Sequence, residues 1–140
     1  MTIQDVVTKI ADAIARQEGF HDPRSRAARN HNPGNIWDGL CTGKSKRIWP
    51  QYPIDLTGFL ILPDNATGRA LMEKQIRLKI SRNETLRTLI NQWDSSDKKV
   101  VRDLYVQHVA EWTGLPIDDV LADLFKMETL SSIGKPLYES

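Results

Sequence analysis

Only one cysteine occurs among the 140 residues, and the chain has no long apolar run. The single cysteine, Cys41, excludes an intramolecular disulfide and a metal site built from several cysteines. A membrane-spanning helix needs about 18–20 consecutive apolar residues, and no stretch of the chain approaches that length. With 40% hydrophobic and 26% charged residues, the composition is that of a globular protein, and we predict a single domain over residues 1–140.

The first residues, MTIQDVVTKIADAIARQEG, also lack the features of a signal peptide. They alternate polar and apolar residues at helical spacing, without a charged start, a continuous apolar stretch or a small-residue cleavage site. We expect a protein made in the cytoplasm, which another factor must deliver if it acts outside the membrane. The net charge is +1, but residues 1–100 carry +5 and residues 101–140 carry −4. A mildly basic surface would suit an anionic polymer such as cell wall or nucleic acid.

Helical periodicity dominates both ends of the chain. The first helix is predicted to begin after Thr2 as N-cap and to stop at Gly19. Residues 20–35 are typical of a loop, and short β-favouring pieces within residues 36–62, separated by Gly and Pro, indicate a small antiparallel sheet. Four further helices are predicted to carry the apolar positions Leu71–Ile80, Leu86–Trp93, Val101–Trp112 and Ile117–Phe125. The predicted fold class is therefore α+β, mainly helical.

Glu18 has an unusual position, because a negative charge at a helix C-terminus meets the negative end of the helix dipole. Its spacing from Val7 and Ile14 continues the apolar stripe of the first helix. Partial burial and the dipole both disfavour the charged form of the carboxyl group. A carboxylic acid that stays protonated near neutral pH can protonate the leaving-group oxygen of a glycoside. The alternative is a solvated side chain in a frayed last turn.

Three motifs stand in order along the chain: RQEGF at residues 16–20, RNHNPGNIWDG at 29–39 and GFLILPDNATGRAL at 58–71. With the later segments TLRTLINQW and YVQHVAEWTG, they resemble phage and prophage proteins of the lysozyme and lytic transglycosylase superfamily. The resemblance covers about residues 6–115. It implies a lysozyme-like fold with an N-terminal helix, a small antiparallel β-sheet at about residues 36–62 and a C-terminal helical lobe.

By this resemblance, Glu18 is the catalytic acid of an enzyme that cleaves peptidoglycan at the β-1,4 bond between N-acetylmuramic acid and N-acetylglucosamine. No metal or cofactor is implied. Four residues are expected to contact the substrate: Asn32, Asn35, Trp37 and Tyr105. Turn formation explains the two asparagines equally well, with Gly34 as the position expected at positive φ. Packing is the alternative role for the two aromatic side chains.

Most glycosidases use a second carboxylate as nucleophile or base. The candidates are Asp38, Asp55 and Asp64, and none has a context that singles it out. Asp64 is explained by a helix N-cap role. The absence of a convincing partner favours the single-acid mechanism of lytic transglycosylases, in which Glu18 acts as acid and then base, and the N-acetyl and 6-hydroxyl groups of the substrate complete the reaction. A hydrolase mechanism stays open.

Two other functions stay open. One is a phage structural or wall-binding module with a lysozyme-like fold and no turnover. The other is a nucleic-acid-binding helical domain that uses the basic residues Arg24, Arg26, Arg29, Lys44, Lys46 and Arg47. Under the leading interpretation, the partners are peptidoglycan glycan strands rather than a stable nucleic acid. The protein is then a monomer or part of a phage particle, acting on the cell wall in phage or prophage lysis or from the virion.

Overall fold

A computed structural model describes residues 1–40, 43, 45–94 and 96–125. Within these residues the chain forms helices α1 (Ile3–Gln17), α2 (Arg26–Arg29), α3 (Asn65–Ser81), α4 (Leu86–Trp93) and α5 (Lys99–Thr113). The chain divides into two compact units. We call Ile14–Lys74 the loop unit, and Met1–Ala13 together with the chain from Gln75 onward the terminal unit. The single-domain organisation stays a prediction, and Cys41 lies outside the described residues.

Helix α1 begins with a reciprocal pair of side-chain bonds. The hydroxyl of Thr2 accepts the Asp5 N–H at 3.1 Å, and the Asp5 carboxylate accepts the Thr2 N–H at 2.8 Å. This capping box satisfies two backbone donors that have no partner inside the helix. Thr2 is therefore confirmed as the N-cap. At the other end the helix stops before Gly19, as predicted, because Gly19 turns into the left-handed region at φ +75°.

The terminal unit has an aliphatic core. Helix α4 packs against α5, and α5 ends at Gly114, which adopts φ +72°. The helices predicted over Leu86–Trp93 and Val101–Trp112 are confirmed. The fully buried side chains of this unit include Val6, Ile10, Ile76, Ile80, Leu86, Leu89, Ile90 and Leu121.

The predicted helix from Ile117 is wrong over its first half. Val120 instead forms an isolated antiparallel bridge with Thr85, and the Leu121 N–H bonds to the Glu84 oxygen at 3.0 Å. These tertiary hydrogen bonds use backbone groups that a helix would pair internally. Helical spacing of apolar residues is a weak signal over so short a segment, and the neighbouring chain overrides it.

The predicted β-sheet is also wrong, so the fold class is helical rather than α+β. In residues 36–62 the described pairing is limited to the isolated bridges Trp37–Phe59 and Ile54–Leu60. Side-chain carboxylates take backbone amides that a sheet would pair between strands: those of Ile48 and Trp49 bond to Asp38, and that of Phe59 to Asp55. Proline residues in this stretch remove further donors. The β-favouring pieces therefore stay separate.

A short helix that sequence patterns did not predict lies in the loop over residues 20–35. Ser25 is its N-cap, and the Ser25 hydroxyl accepts the Ala28 N–H at 3.1 Å. Helix α2 buries Ala27 and leads into the Asn30–Asn35 segment. With only four residues, α2 has too little periodicity to be recognised from the sequence.

Helix α3 approaches that segment closely at Gly68. A Cβ atom added at Gly68 would lie 2.0 Å from the backbone oxygen of His31 and 2.8 Å from the Pro33 ring. No side chain fits in that space, so Gly68 lets the start of α3 rest on the loop backbone. The loop also contacts the first residue of α3, because the Nδ1 atom of His31 lies 2.8 Å from the side-chain oxygen of Asn65.

Because the obstructing atom at Gly68 is backbone, Gly68→Ala should force the loop away from α3. We expect a loss of about 1–3 kcal/mol in unfolding free energy, the usual range for overpacking. Chemical denaturation monitored by circular dichroism measures it. Ala70→Ser, at an exposed position two residues along the same helix, is the matched control and should stay within about 0.5 kcal/mol of wild type. Equal stability of the two variants would contradict the close approach.

Candidate active site around Glu18

Glu18 occupies the C-cap of α1, in a turn that fixes its backbone. The Gly19 N–H bonds to the Arg16 oxygen at 3.1 Å, and the Phe20 N–H bonds to the Ala15 oxygen at 3.0 Å. These two bonds, with Gly19 at φ +75°, form a Schellman motif. The last turn is therefore closed rather than frayed. Glu18 itself is half-buried.

The NPGN segment forms the tight turn that its composition predicts. The Asn35 N–H bonds to the Asn32 backbone oxygen at 2.9 Å, with Pro33 and Gly34 between them. Positive φ falls on Asn35, at +49°, rather than on Gly34 as predicted. Asparagine tolerates the left-handed region because its short polar side chain makes local hydrogen bonds. The turn prediction is confirmed, but the residue with positive φ is Asn35, one position after Gly34.

Asn32 anchors this turn from inside the protein. Its side chain is fully buried, accepts the Ile36 N–H at 2.9 Å and donates to the oxygens of Ile36 and Leu60 at 3.1 and 3.0 Å. The two donors and the acceptor of the amide are therefore all used within the fold. We assign Asn32 a positioning role, since a side chain with no exposed surface cannot reach a glycan while the turn is closed.

Asn35 is brought directly to the candidate acid. Its Nδ2 donates to the Oε1 atom of Glu18 at 3.2 Å. The two residues are 17 positions apart in the sequence, and the Schellman turn and the NPGN turn bring them together. This contact joins the first two motifs of the sequence in one site. Sequence reasoning predicted both residues but had no means to predict the bond between them.

Trp37 forms a partly exposed platform in the same unit. Its indole N–H donates to the Thr57 oxygen at 2.8 Å, and 39% of the residue is exposed. Gly39 and Gly58 lie against the ring, where added Cβ atoms would come within 2.5 and 2.4 Å of it. A fixed ring with exposed surface can stack against a sugar ring, so a substrate-contacting role for Trp37 is compatible with its geometry.

Tyr105 belongs to the terminal unit. It lies on α5 and is 4% exposed. Burial to this degree is typical of a core residue, the alternative that its sequence spacing favours. Its role in substrate binding stays a prediction.

Asp38 is a buried structural carboxylate. One of its oxygens accepts the Ile48 N–H and the other the Trp49 N–H, both at 2.8 Å, and the guanidinium of Arg47 lies 3.5 Å away. The side chain has no exposed surface. A carboxylate that is fully occupied and out of contact with solvent is poorly suited to attack a sugar.

Asp55 organises a second turn. It accepts hydrogen bonds from the Asn30 side chain at 3.0 Å, from the Thr57 N–H and hydroxyl at 2.9 Å each, and from the Phe59 N–H at 3.0 Å. Partial burial raises the pKa of Asp55, but these bonds outweigh it and lower the pKa to about 2. Arg26 lies 3.9 Å from the carboxylate and 4.2 Å above the Phe59 ring. Sequence reasoning missed this cluster.

Asp64 is the N-cap of α3, as predicted. Its Oδ1 atom accepts the Thr67 N–H at 2.7 Å, and that bond lowers the pKa of the carboxyl. All three candidate second carboxylates thus have structural hydrogen bonds. Glu18 differs from them, because its carboxyl accepts a hydrogen bond at 3.2 Å from the side chain of Asn35, which is itself a predicted site residue.

Several of the basic side chains considered for nucleic-acid binding have internal contacts. Arg47 donates to the backbone oxygens of Asp38, Trp49 and Tyr52. Arg24 pairs with Asp22 at 3.2 Å, and Arg26 lies beside Asp55. Arg29 bonds to a backbone oxygen, Lys46 is exposed, and Lys44 lies outside the described residues. Such arginines hold loops together, which weakens the case for a continuous basic surface.

None of the three comparisons with known proteins found a relative. The scan against family models found no match, and the searches of curated proteins and of solved structures found none either. Among the described residues, no three His, Cys, Asp or Glu side chains form a group that could hold a metal ion. Across that same part of the chain, no helix has the length and apolar character needed to cross a membrane.

The lowered pKa of Asp55 predicts a pH-dependent stability. Because the folded-state value of about 2 lies below the ordinary 3.8, the stabilisation is fully present above about pH 4 and is lost as the pH falls towards 2. It amounts to about 2 kcal/mol. Denaturation curves at about pH 6 and pH 2 measure the unfolding free energy at each pH. The decrease in unfolding free energy from pH 6 to pH 2 should therefore be smaller for Asp55→Asn than for wild type. Asp12→Asn, at an exposed position on α1, removes a carboxylate outside the Asp55 cluster and is the matched control. An unchanged dependence in Asp55→Asn would contradict the assignment.

Proposed function

We propose that this protein is a peptidoglycan-cleaving glycosidase that acts on the β-1,4 bond between N-acetylmuramic acid and N-acetylglucosamine, with Glu18 as its acid. The observation that carries the proposal is the 3.2 Å bond from Asn35 to the Glu18 carboxyl at the closed end of α1. The resemblance of RQEGF and RNHNPGN to phage enzymes supplies the reaction.

The proposed reaction follows a single-acid path. Glu18 gives its proton to the glycosidic oxygen while the bond from that oxygen to C1 of the muramic acid breaks and its electron pair stays with the oxygen. The N-acetyl oxygen of the same sugar stabilises C1 as the leaving group departs. The 6-hydroxyl oxygen then bonds to C1, and its proton passes to the Glu18 carboxylate. The product is a 1,6-anhydro sugar, and Glu18 ends in its starting protonation state.

The hydrogen bonds of the three aspartates support this path over hydrolysis. Asp38 is buried, Asp55 accepts four hydrogen bonds, and Asp64 caps a helix. A nucleophile or base needs a lone pair directed at the substrate or at a water molecule. Each of these carboxylates directs lone pairs at backbone amides instead. A mechanism that needs only Glu18 fits this distribution best.

A wall-binding module without turnover is the alternative that the same site permits, because Trp37 can stack on a sugar whether or not Glu18 transfers a proton. Sedimentation with purified cell walls without loss of turbidity would identify that function. A steep fall of DNA affinity with salt would instead point to nucleic-acid binding.

Glu18→Gln should abolish most of the activity without unfolding the protein. Glutamine keeps the shape of the side chain and can accept the Asn35 bond, but it cannot donate the acid's proton. We expect the rate to fall by at least about 100-fold, at the lower end of the range for general acid catalysis. Turbidity loss of outer-membrane-permeabilised cells measures the rate, and thermal melting checks the fold. Glu111→Gln, an exposed position on α5, is the matched control. A fully active, folded Glu18→Gln protein would refute the assignment.

The products distinguish the two mechanisms. We expect 1,6-anhydro-muropeptides, which mass spectrometry separates from hydrolysis products because they are lighter by one water. Asp64→Asn should keep nearly full activity, since asparagine caps helices as well as aspartate does. Asp55→Asn and Asp38→Asn should lose stability but keep most of the activity of the folded fraction. Reducing-end products, with collapse of activity in one of these variants, would rule out the transglycosylase path and leave Glu18 as the acid.

A further inference from the structure

Asn35 has two structural costs in one residue. Its backbone lies in the left-handed region at φ +49°, where non-glycine residues are uncommon. Its side-chain oxygen is buried and has no hydrogen-bond partner within the described residues. A buried acceptor without a partner typically costs about 1–3 kcal/mol. Glycine at this position would remove both costs, because it adopts positive φ freely and has no side chain to bury.

Asparagine keeps one feature that glycine lacks. That feature is the Nδ2 donor, which reaches the Oε1 atom of Glu18 at 3.2 Å. Asn32, three residues earlier, anchors the turn from inside with a fully used amide. The fold therefore does not need the Asn35 amide to close the turn. Strain and unsatisfied polar atoms that the fold does not need are typical of functional positions.

We infer that Asn35 is a positioning residue that holds the Glu18 carboxyl for proton transfer through its bond to Oε1. A donor directed at Oε1 makes that atom the acceptor whether the carboxyl is protonated or ionised. The bond can therefore hold the carboxyl in both the acid step and the base step. The same bond stabilises the carboxylate that forms between the two steps, since hydrogen bonds to charged groups are the stronger ones. This inference rests on the proposed function.

Asn35→Gly is the decisive variant, because stability and activity should change in different directions. Removing the strained asparagine should leave the melting temperature equal to that of wild type or higher, whereas kcat on soluble peptidoglycan tetrasaccharide fragments should fall about 10- to 100-fold. KM should stay within about threefold, because the bond acts on Glu18 and not on the bound sugar. Asn83→Gly is the matched control: Asn83 also has positive φ, at +60°, but lies in the terminal unit, so its kcat should not change.

Asn35→Asp tests the donor with the side-chain shape preserved. Aspartate is nearly isosteric and tolerates the left-handed region, but when ionised it can only accept hydrogen bonds, so it cannot bond to the Glu18 carboxylate. We expect a loss of kcat at least as large as in Asn35→Gly. Acetamide added in solution should restore part of the rate of Asn35→Gly, where the side-chain space is vacant. It should not restore the rate of Asn35→Asp, where that space is filled.

A lower kcat with unchanged KM and unchanged or higher stability supports the positioning role of Asn35, as does rescue of Asn35→Gly by acetamide. A folded Asn35→Gly protein with wild-type kcat overturns it and leaves Glu18 as the acid, and a rise in KM alone makes Asn35 a substrate-binding residue instead. Marked unfolding of Asn35→Gly makes the amide structural, which also overturns it. A wild-type protein without glycosidase activity overturns the proposed function, and the positioning role falls with it.

Discussion

The buried amide of Asn32 is the interaction on which the candidate site depends. It joins the NPGN turn to the backbone at Ile36 and Leu60 through three hydrogen bonds, with no exposed surface. Breaking such a bond inside a protein leaves a polar group without a partner, which costs more than the bond contributes when formed. The turn is therefore held in one conformation. That conformation sets the backbone of Asn35, and the backbone of Asn35 brings its amide to Glu18.

Carboxylates replace a β-sheet in residues 36–62. Asp38 accepts hydrogen bonds from the backbone amides of Ile48 and Trp49, and Asp55 accepts them from Thr57 and Phe59. Each carboxylate therefore holds one loop in place. Hydrogen bonds from amides stabilise the ionised form, which is the reason for the low pKa of Asp55. Loops organised in this way are fixed without strands. The Trp37 ring packs on Gly39 and Gly58, where no side chain would fit, and 39% of the residue stays exposed.

Local chemistry made much of this structure predictable. Caps and stops need only the few residues around them, as at Thr2, Gly19 and Asp64. The tight turn at Asn32–Asn35 follows from the same kind of signal. The sheet prediction is wrong, since β-favouring residues indicate strands only where their amides are not taken by side chains, here carboxylates 4, 10 and 11 residues away. The bond between Asn35 and Glu18 was also beyond prediction, because it spans 17 residues and depends on two turns that close independently.

The fold tolerates a carboxyl group at the end of α1. A carboxylate at the end of a helix is destabilised by the dipole by a few tenths to about 1 kcal/mol. The Schellman motif satisfies the last backbone groups of α1 without the help of that side chain, so the helix does not depend on it to end. One amide donor compensates part of the electrostatic cost. The Glu18 carboxyl accepts a hydrogen bond from Asn35, a residue of the candidate site, whereas Asp38, Asp55 and Asp64 accept hydrogen bonds from backbone amides that hold loops or a helix start in place.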